Sequence, residues 1–321
     1  MSAPLVSVVT PVYNGGRHLT ECIESVLRQT YENWEYVVVD NCSSDETPKI
    51  AEQFTRVDRR VRYVRHSEFV DVIASFNRSF GAVAEDSVYC KPLGADDWLF
   101  PECLSRMVVL AEKHPSVGVV GGYRLNGRRV DLVGFPYWEE TQPGREVIAA
   151  DVRTPLELIG APTALMFRRE LMKKRTPFYD ETFRHADTEA VYWALSRSDF
   201  GVVHQVVTYN REATSPETVS SNRLASYDPE LLRMLIRYGP SVLPPEQYRD
   251  ELRVQLKAYE RLMLRAFAGW HAKRRFQRGP ARNEDFRAFQ LRALELISEE
   301  ASDDPDIRRT VSRARKLLEW Y

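Results

Sequence analysis

Through the first half of the chain, short unbroken apolar runs alternate with stretches in which apolar residues recur every three or four positions. LVSVVTP reads as a strand, and Leu19, Cys22, Ile23, Val26 and Leu27 then share one helical face. WEYVVVD is a second strand, and its Val37-Val38-Val39 run has no polar face, as expected where both faces of a sheet are covered. Ile50, Ala51 and Phe54 mark a second helix, which Ser44 or Asp45 is placed to cap. VRYVR is a third strand, DVIASFNRSFGAVA a third helix and SVYCKPL a fourth strand. Pro101 opens a further helix at its first turn, a position proline tolerates, and VGVVGGY is a fifth strand. Strand and helix in strict alternation predict stacked βα units around a mainly parallel sheet.

Between about 123 and 150 the periodicity lapses into a hairpin or long loop. ALMFRREL then resumes a strand-to-helix transition, ADTEAVYWALSR is helical, and FGVVHQVVTY closes the region as a strand. From Pro229 onward the texture becomes long segments rich in Leu, Arg and Glu, with breaks expected at Pro240, Pro244-Pro245 and Gly279-Pro280. The expected division is an α/β body over 1–215 and a helical region over 216–321.

Composition narrows the class. The chain has 321 residues, 43% hydrophobic and 28% charged, which is ordinary for a globular enzyme, and its formal net charge of −1 gives no pull toward nucleic acid. No run approaches the roughly 18 apolar residues that would span a bilayer. MSAPLVSVVTP leads straight into a strand, and Cys22, Cys42, Cys90 and Cys103 show no paired spacing, so a cytoplasmic location with reduced thiols is expected. The basic segment 261–278, with Trp270, could lie on an anionic membrane surface or pack with its charges solvated. The amphipathic tail could also join subunits of a homo-oligomer. Arg56, Arg59, Arg60, Arg62 and Arg65 read as a solvated face.

The chemistry sits where strands run out. In an open α/β sheet, ligands bind beyond the carboxyl ends of strands. Asp40 ends the second strand, and Asp96-Asp97 follow the fourth. A carboxylate at the first place can accept from a base N–H or cap the next helix. Adjacent carboxylates at the second place repel unless a hard cation such as Mg²⁺ or Mn²⁺ sits on them, bridging to phosphate. Asp187, before another helix, could be a general base or an N-cap.

The series TPVYNGG, VVVDNCSSDET, GADDWL and HADTEAVYWAL, over about residues 5–211, resembles the family 2 glycosyltransferases of GT-A fold. That resemblance implies a Rossmann-like, mixed but mainly parallel sheet flanked by helices, and a nucleotide-sugar donor. It implies that Thr10, Pro11, Val12 and Tyr13 wrap the base, Asp40 reads it, and Asn77 lies in the cleft. It further implies that Asp96 faces the ribose, that Asp97 holds Mn²⁺ or Mg²⁺, and that Asp187 is the base of an inverting, non-processive transfer to a hydroxyl acceptor. UDP or dTDP donors and cell-surface glycan products go with that reading. A sugar-nucleotide nucleotidyltransferase and a degenerate GT-A-fold binding protein are the alternatives. Several positions depart from the family pattern. Gly94 stands for a third acid, Phe76 for an arginine and Ala186 for an acid. Cys42 stands for a glycine, which implies that the loop does not need positive φ there. Glu189 is a fallback base. His185 is expected exposed and His204 structurally paired, with metal ligation the alternative for each.

Overall fold

The computed structural model describes residues 3–153, 161–211, 224–276 and 284–320, with the backbone alone for 269–276 and 320. The chain divides into two compact units, residues 1–212 and 213–321. The first unit is built on β1 (Val6–Val12), whose residues Val6, Val8, Val9 and Val12 are all buried. α1 (Leu19–Leu27) follows, burying Leu19, Cys22, Ile23 and Val26, and a fully buried side chain of that kind contributes about 1.5–3 kcal/mol. β2 (Trp34–Asp40) is buried at all seven positions, in keeping with its unbroken apolar run.

α2 (Thr47–Val57), β3 (Val61–Arg65) and α3 (Val72–Gly81) come next. The cap position of α2 is Glu46, and not Ser44 or Asp45 as expected, although Asp45, one residue before it, accepts from the Thr47 N–H at 3.0 Å. Asp71 caps α3 by accepting from Ile73 and Ala74. β4 (Tyr89–Pro92) leads through the acidic turn into β5 (Trp98–Leu99), a short strand with no apolar run to announce it. α4 (Cys103–Lys113) begins two residues beyond Pro101, which therefore precedes the helix and does not open its first turn.

β6 (Val117–Asn126) runs past the expected strand end and turns back as β7 (Arg129–Asp131), so a hairpin occupies part of 123–150. β8 (Thr141–Gln142) and α5 (Gly144–Asp151) fill the rest. A 3₁₀ turn at Pro162–Ala164 precedes β9 (Leu165–Arg168), α6 (Arg169–Lys173), α7 (Ala186–Leu195) and β10 (Asp199–Asn210).

The sheet has the order β3-β2-β1-β4-β9-β6-β10-β5, with β7 on β6 and β8 on β10. β3, β2, β1 and β4 are parallel, β9 is antiparallel to both β4 and β6, and β6 and β10 are parallel to each other. This is a mixed α/β sheet flanked by helices, as the family resemblance implied. Val12 pairs with Asp40 and Val9 with Pro92, so the loops that follow β2 and β4 emerge on either side of β1.

The arginines of the 56–65 segment are not a uniformly solvated face. Arg60 pairs with Asp58 and lies over the Trp34 ring, Arg62 pairs with Glu35, and Arg65 donates to the Ser43 carbonyl. Strand β3 carries Arg62 and Arg65 beside acceptors on β2 and its loop, which periodicity along one segment does not reveal.

The second unit is helical: α8 (Tyr227–Val242), α9 (Pro245–Phe276), α10 (Glu284–Glu300) and α11 (Pro305–Trp320). Leu235, Leu256, Tyr259, Met263, Leu294, Ile297 and Leu318 form its interior. Pro240 lies inside α8 and does not break it. The break falls at Leu243, driven into extended geometry by Pro244 after it. Among the described residues no helix is long and apolar enough to cross a membrane. The Gly279-Pro280 break, residues 277–278 of the basic segment and the Trp270 side chain lie outside what is described.

Candidate active site

Two loops close the β1–β2 end of the sheet by exchanging side-chain bonds. The Asn14 N–H donates to Ser43 Oγ at 2.9 Å, and the Ser44 N–H donates to Asn14 Oδ1 at 2.9 Å. Gly15 N–H reaches Thr47 Oγ1 and Gly16 N–H reaches Asp45 Oδ2, each at 2.9 Å. Cys42 sits at φ 70°, in the left-handed region. The loop therefore keeps the backbone that a glycine would favour, and substitution by cysteine has not removed that requirement.

Of the four residues expected around a base, only two face outward. Thr10 is buried, accepting from the Tyr36 hydroxyl at 2.9 Å, and Val12 is buried in the core. Pro11 is half-buried. Tyr13 is exposed and meets the exposed Phe69 edge-on at 4.7 Å. Strand alternation explains the split, because successive side chains point to opposite faces.

Asp40 is fully buried. Its Oδ1 accepts from the Ser43 N–H at 2.8 Å and its Oδ2 from the Tyr63 hydroxyl at 2.6 Å, with Arg65 Nε 3.7 Å away. Its carboxylate thus already holds the loop in which it lies.

The turn after β4 gathers a second polar cluster. Asp97 is 6% exposed. Its Oδ2 accepts from Thr163 Oγ1 at 2.5 Å and from Asn210 Nδ2 at 2.8 Å, and its Oδ1 accepts from the Arg211 N–H at 3.1 Å. Burial, and then the adjacent charge of Asp96, push Asp97 up to about 7 against the hydrogen bonds from Thr163 and Arg211. Arg211 continues across the turn, with Nε donating to the Asp96 carbonyl at 3.1 Å and Nη2 to Glu21 Oε2 at 2.7 Å. A side chain at Gly94 would begin 2.7 Å from Asp97 Oδ2, so the place of a third acid is taken up by the second.

These donors fit a small hard cation in one respect. Asp96 is exposed, Asp97 Oδ1 takes a single N–H, and Asn210 Oδ1 beside it is buried without a hydrogen bond. A cation would neutralise charge that burial disfavours. Among the described residues no three His, Cys, Asp or Glu converge, so phosphate and water oxygens would complete the coordination, the usual arrangement for Mg²⁺.

Asp187 stands in the first turn of α7, while His185 is the cap, so the N-cap alternative for Asp187 falls away. Among the described residues no hydrogen bond engages its carboxylate. Glu189 is 1% exposed and ion-paired to Arg175 at 2.6 Å, which removes it as a fallback base. His185 is half-buried, not exposed, and burial lowers its pKa. His204 is paired as expected, with Tyr123 Oη at 2.7 Å and the Glu139 carbonyl at 2.6 Å, so neither ring nitrogen is available to a metal. Asn77 is a bracket: Nδ2 donates to the Tyr179 carbonyl at 2.9 Å, and Oδ1 accepts from the Tyr179 N–H at 2.8 Å. Its amide group holds the 179–181 segment, with Nδ2 also reaching Glu181 Oε1 at 3.1 Å.

Thr163, Asn210 and Arg211 were not foreseen. Asn210 and Arg211 end β10, and the strand-end argument applied to Asp40 reaches them equally. Thr163 had no local signal, since its 3₁₀ turn is recognised only by what it touches.

Residues 7–176 match the profile of Glycosyl transferase family 2. EpsE of Bacillus subtilis (strain 168) is 36% identical over 121 residues, 37% of this chain and 43% of that protein. The Glycosyltransferase GlyG of Streptococcus pneumoniae serotype 4 (strain ATCC BAA-334 / TIGR4) is 33% identical over 119 residues, 37% of this chain and 39% of that one. The aligned stretches thus span less than half the length of these relatives. Among solved structures, S. aureus TarS 1-349 in complex with UDP-GlcNAc is similar with a TM-score of 0.66 and 16% identity, over 98% of this chain and 91% of that one. The mannosyltransferase PcManGT from Pyrobaculum calidifontis, in complex with GDP-Man and Mn²⁺, is similar with a TM-score of 0.57 and 16% identity, over 100% and 88%. At these identities the likeness concerns the fold.

Proposed function

Because this chain belongs to Glycosyl transferase family 2, we propose that it moves a sugar from a nucleoside diphosphate sugar to a hydroxyl acceptor, inverting the anomeric carbon and adding one unit at a time. Assembly of a cell-surface glycan is the setting this reading favours, with UDP or dTDP as the carrier. The observation that carries it is the acidic turn after β4, where an exposed Asp96 adjoins a buried Asp97 whose two oxygens are held by Thr163, Asn210 and Arg211.

In this reading Tyr13, backed by Phe69, offers the base an aromatic face. Asp40 is the carboxylate that an imide N–H reaches by displacing the Tyr63 hydroxyl. Asp96 faces the ribose, and Asp97 would hold Mn²⁺ or Mg²⁺, which when bound supplies Lewis-acid stabilisation of the departing diphosphate. Asp187 takes the proton of the attacking hydroxyl. A positioned carboxylate in that role contributes about 10²–10⁴-fold. Asn77 holds the Tyr179 backbone and Thr163 holds Asp97 in place.

Calorimetric titration of UDP, dTDP and GDP, each with Mn²⁺ and with EDTA, tests the reading. Metal-dependent binding of at least one nucleotide is expected, with loss of that dependence in Asp97→Asn. Failure of all three to bind overturns it.

A further inference from the structure

Lys91 is fully buried in β4, opposite Val8 of β1. Among the described residues no carboxylate lies within ion-pair distance of its ammonium. Its Nζ donates instead to two backbone carbonyls, those of Thr163 and Pro92. An unpaired buried charge is costly, and a leucine or methionine would fill the same space without that cost. Burial pushes the Lys91 ammonium down to about 8, while negative charge that includes Asp97 pulls the other way.

What the ammonium holds is specific. Thr163 is 1% exposed and follows Ala161, which is strained at φ 39°. Such a backbone persists only where its surroundings over-determine it. The Thr163 carbonyl is taken by Lys91, and its hydroxyl accepts from the Gly94 N–H at 2.9 Å while donating to Asp97 Oδ2 at 2.5 Å. One residue therefore joins the buried cation to both ends of the acidic turn.

We infer that Lys91 is a positioning residue for the acid pair, fixing Thr163 and through it the orientation of Asp97. The role rests on the reading of Asp97 as the residue that holds a cation against a nucleoside diphosphate. Partners one step behind a metal ligand typically account for about 10–100-fold in metal affinity.

The test is calorimetry with Mn²⁺ and UDP, dTDP or GDP, alongside binding of the same nucleotide in EDTA and the thermal midpoint. Lys91→Met and Thr163→Val should each weaken Mn²⁺-dependent binding by about tenfold. Binding in EDTA should stay within about twofold, and Thr163→Ser should restore the loss. The double variant should be no weaker than either single one, because both break the same chain of contacts. Should Lys91→Met fail to fold, Lys91→Gln carries the same test, since it keeps an N–H donor without the charge. Unchanged Mn²⁺-dependent binding in the folded variants, or equal losses with and without metal, overturns the role while leaving the proposed function intact. A wild-type protein that binds none of the three nucleotides overturns both.

Discussion

The main-chain N–H of Arg211 donates to Asp97 Oδ1 at 3.1 Å, tying the end of β10 to the turn after β4. With Thr163 and Asn210 on the other oxygen, two separate segments, the end of β10 and the 3₁₀ turn before β9, converge on one buried carboxylate. That convergence has consequences for pH, and the bonds around the neighbouring acids set further expectations.

In metal-free protein, stability should fall as pH rises through about 7. Asp97 is raised from 3.8 to about 7, so its contribution is fully present below the lower value and lost above the higher one. The difference amounts to a few kcal/mol at most, at about 1.4 kcal/mol per pH unit. Thermal midpoints in EDTA at about pH 5 and pH 7, below the Lys91 titration, should show a drop that Asp97→Asn flattens. Equal slopes for the two proteins would contradict this account of Asp97.

Asp187 and Glu189 should separate cleanly. Asp187→Asn is expected to lower transfer at least tenfold without moving the thermal midpoint, since its carboxylate makes no described bond. Glu189→Gln removes the charge that Arg175 meets at 2.6 Å, leaving Asp180 at 3.8 Å as its remaining charged partner, and should destabilise by about 1–3 kcal/mol. Its transfer rate per folded molecule should hold at a permissive temperature. Retention of more than about a tenth of the wild-type rate by Asp187→Asn would remove it as the base.

Asn77→Ala removes both bonds to Tyr179 and should cost about 2–3 kcal/mol, with nucleotide affinity within about twofold of wild type. A selective loss of nucleotide binding at unchanged stability would instead return Asn77 to the donor site. Urea unfolding with parallel calorimetry distinguishes the two.

Cys42 offers a test of backbone strain. At φ 70° a β-branched residue is a genuine outlier, so Cys42→Val should lower stability by about 1–2 kcal/mol. Cys42→Gly should match or exceed wild type. If valine and glycine behave alike in thermal unfolding, the left-handed conformation at this position is not what limits the loop.

The particular elements show how far pattern reaches. β2 was readable because seven consecutive residues are buried, and α1 because one face is apolar. β5 is two residues long and, among the described residues, pairs with distant β10, so periodicity does not mark it. Asp40, Asp96 and Asp97 were legible as acids at strand ends. That Asp40 is buried against Tyr63, and that Asn77 brackets Tyr179, depend on segments 23 and 102 residues away.

The sequence by itself determined the alternation of strands and helices, the acids at the ends of β2 and β4, and the family to which they point. Those depend on hydrophobic periodicity and on short motifs, both local properties of the chain. Only the tertiary structure decided which acids are buried, which carry bonds, and that Lys91, Thr163, Asn210 and Arg211 gather around Asp97. A carboxylate's charge state and freedom depend on its solvent and its donors, and in a sheet of mixed order those neighbours come from strands far apart in sequence.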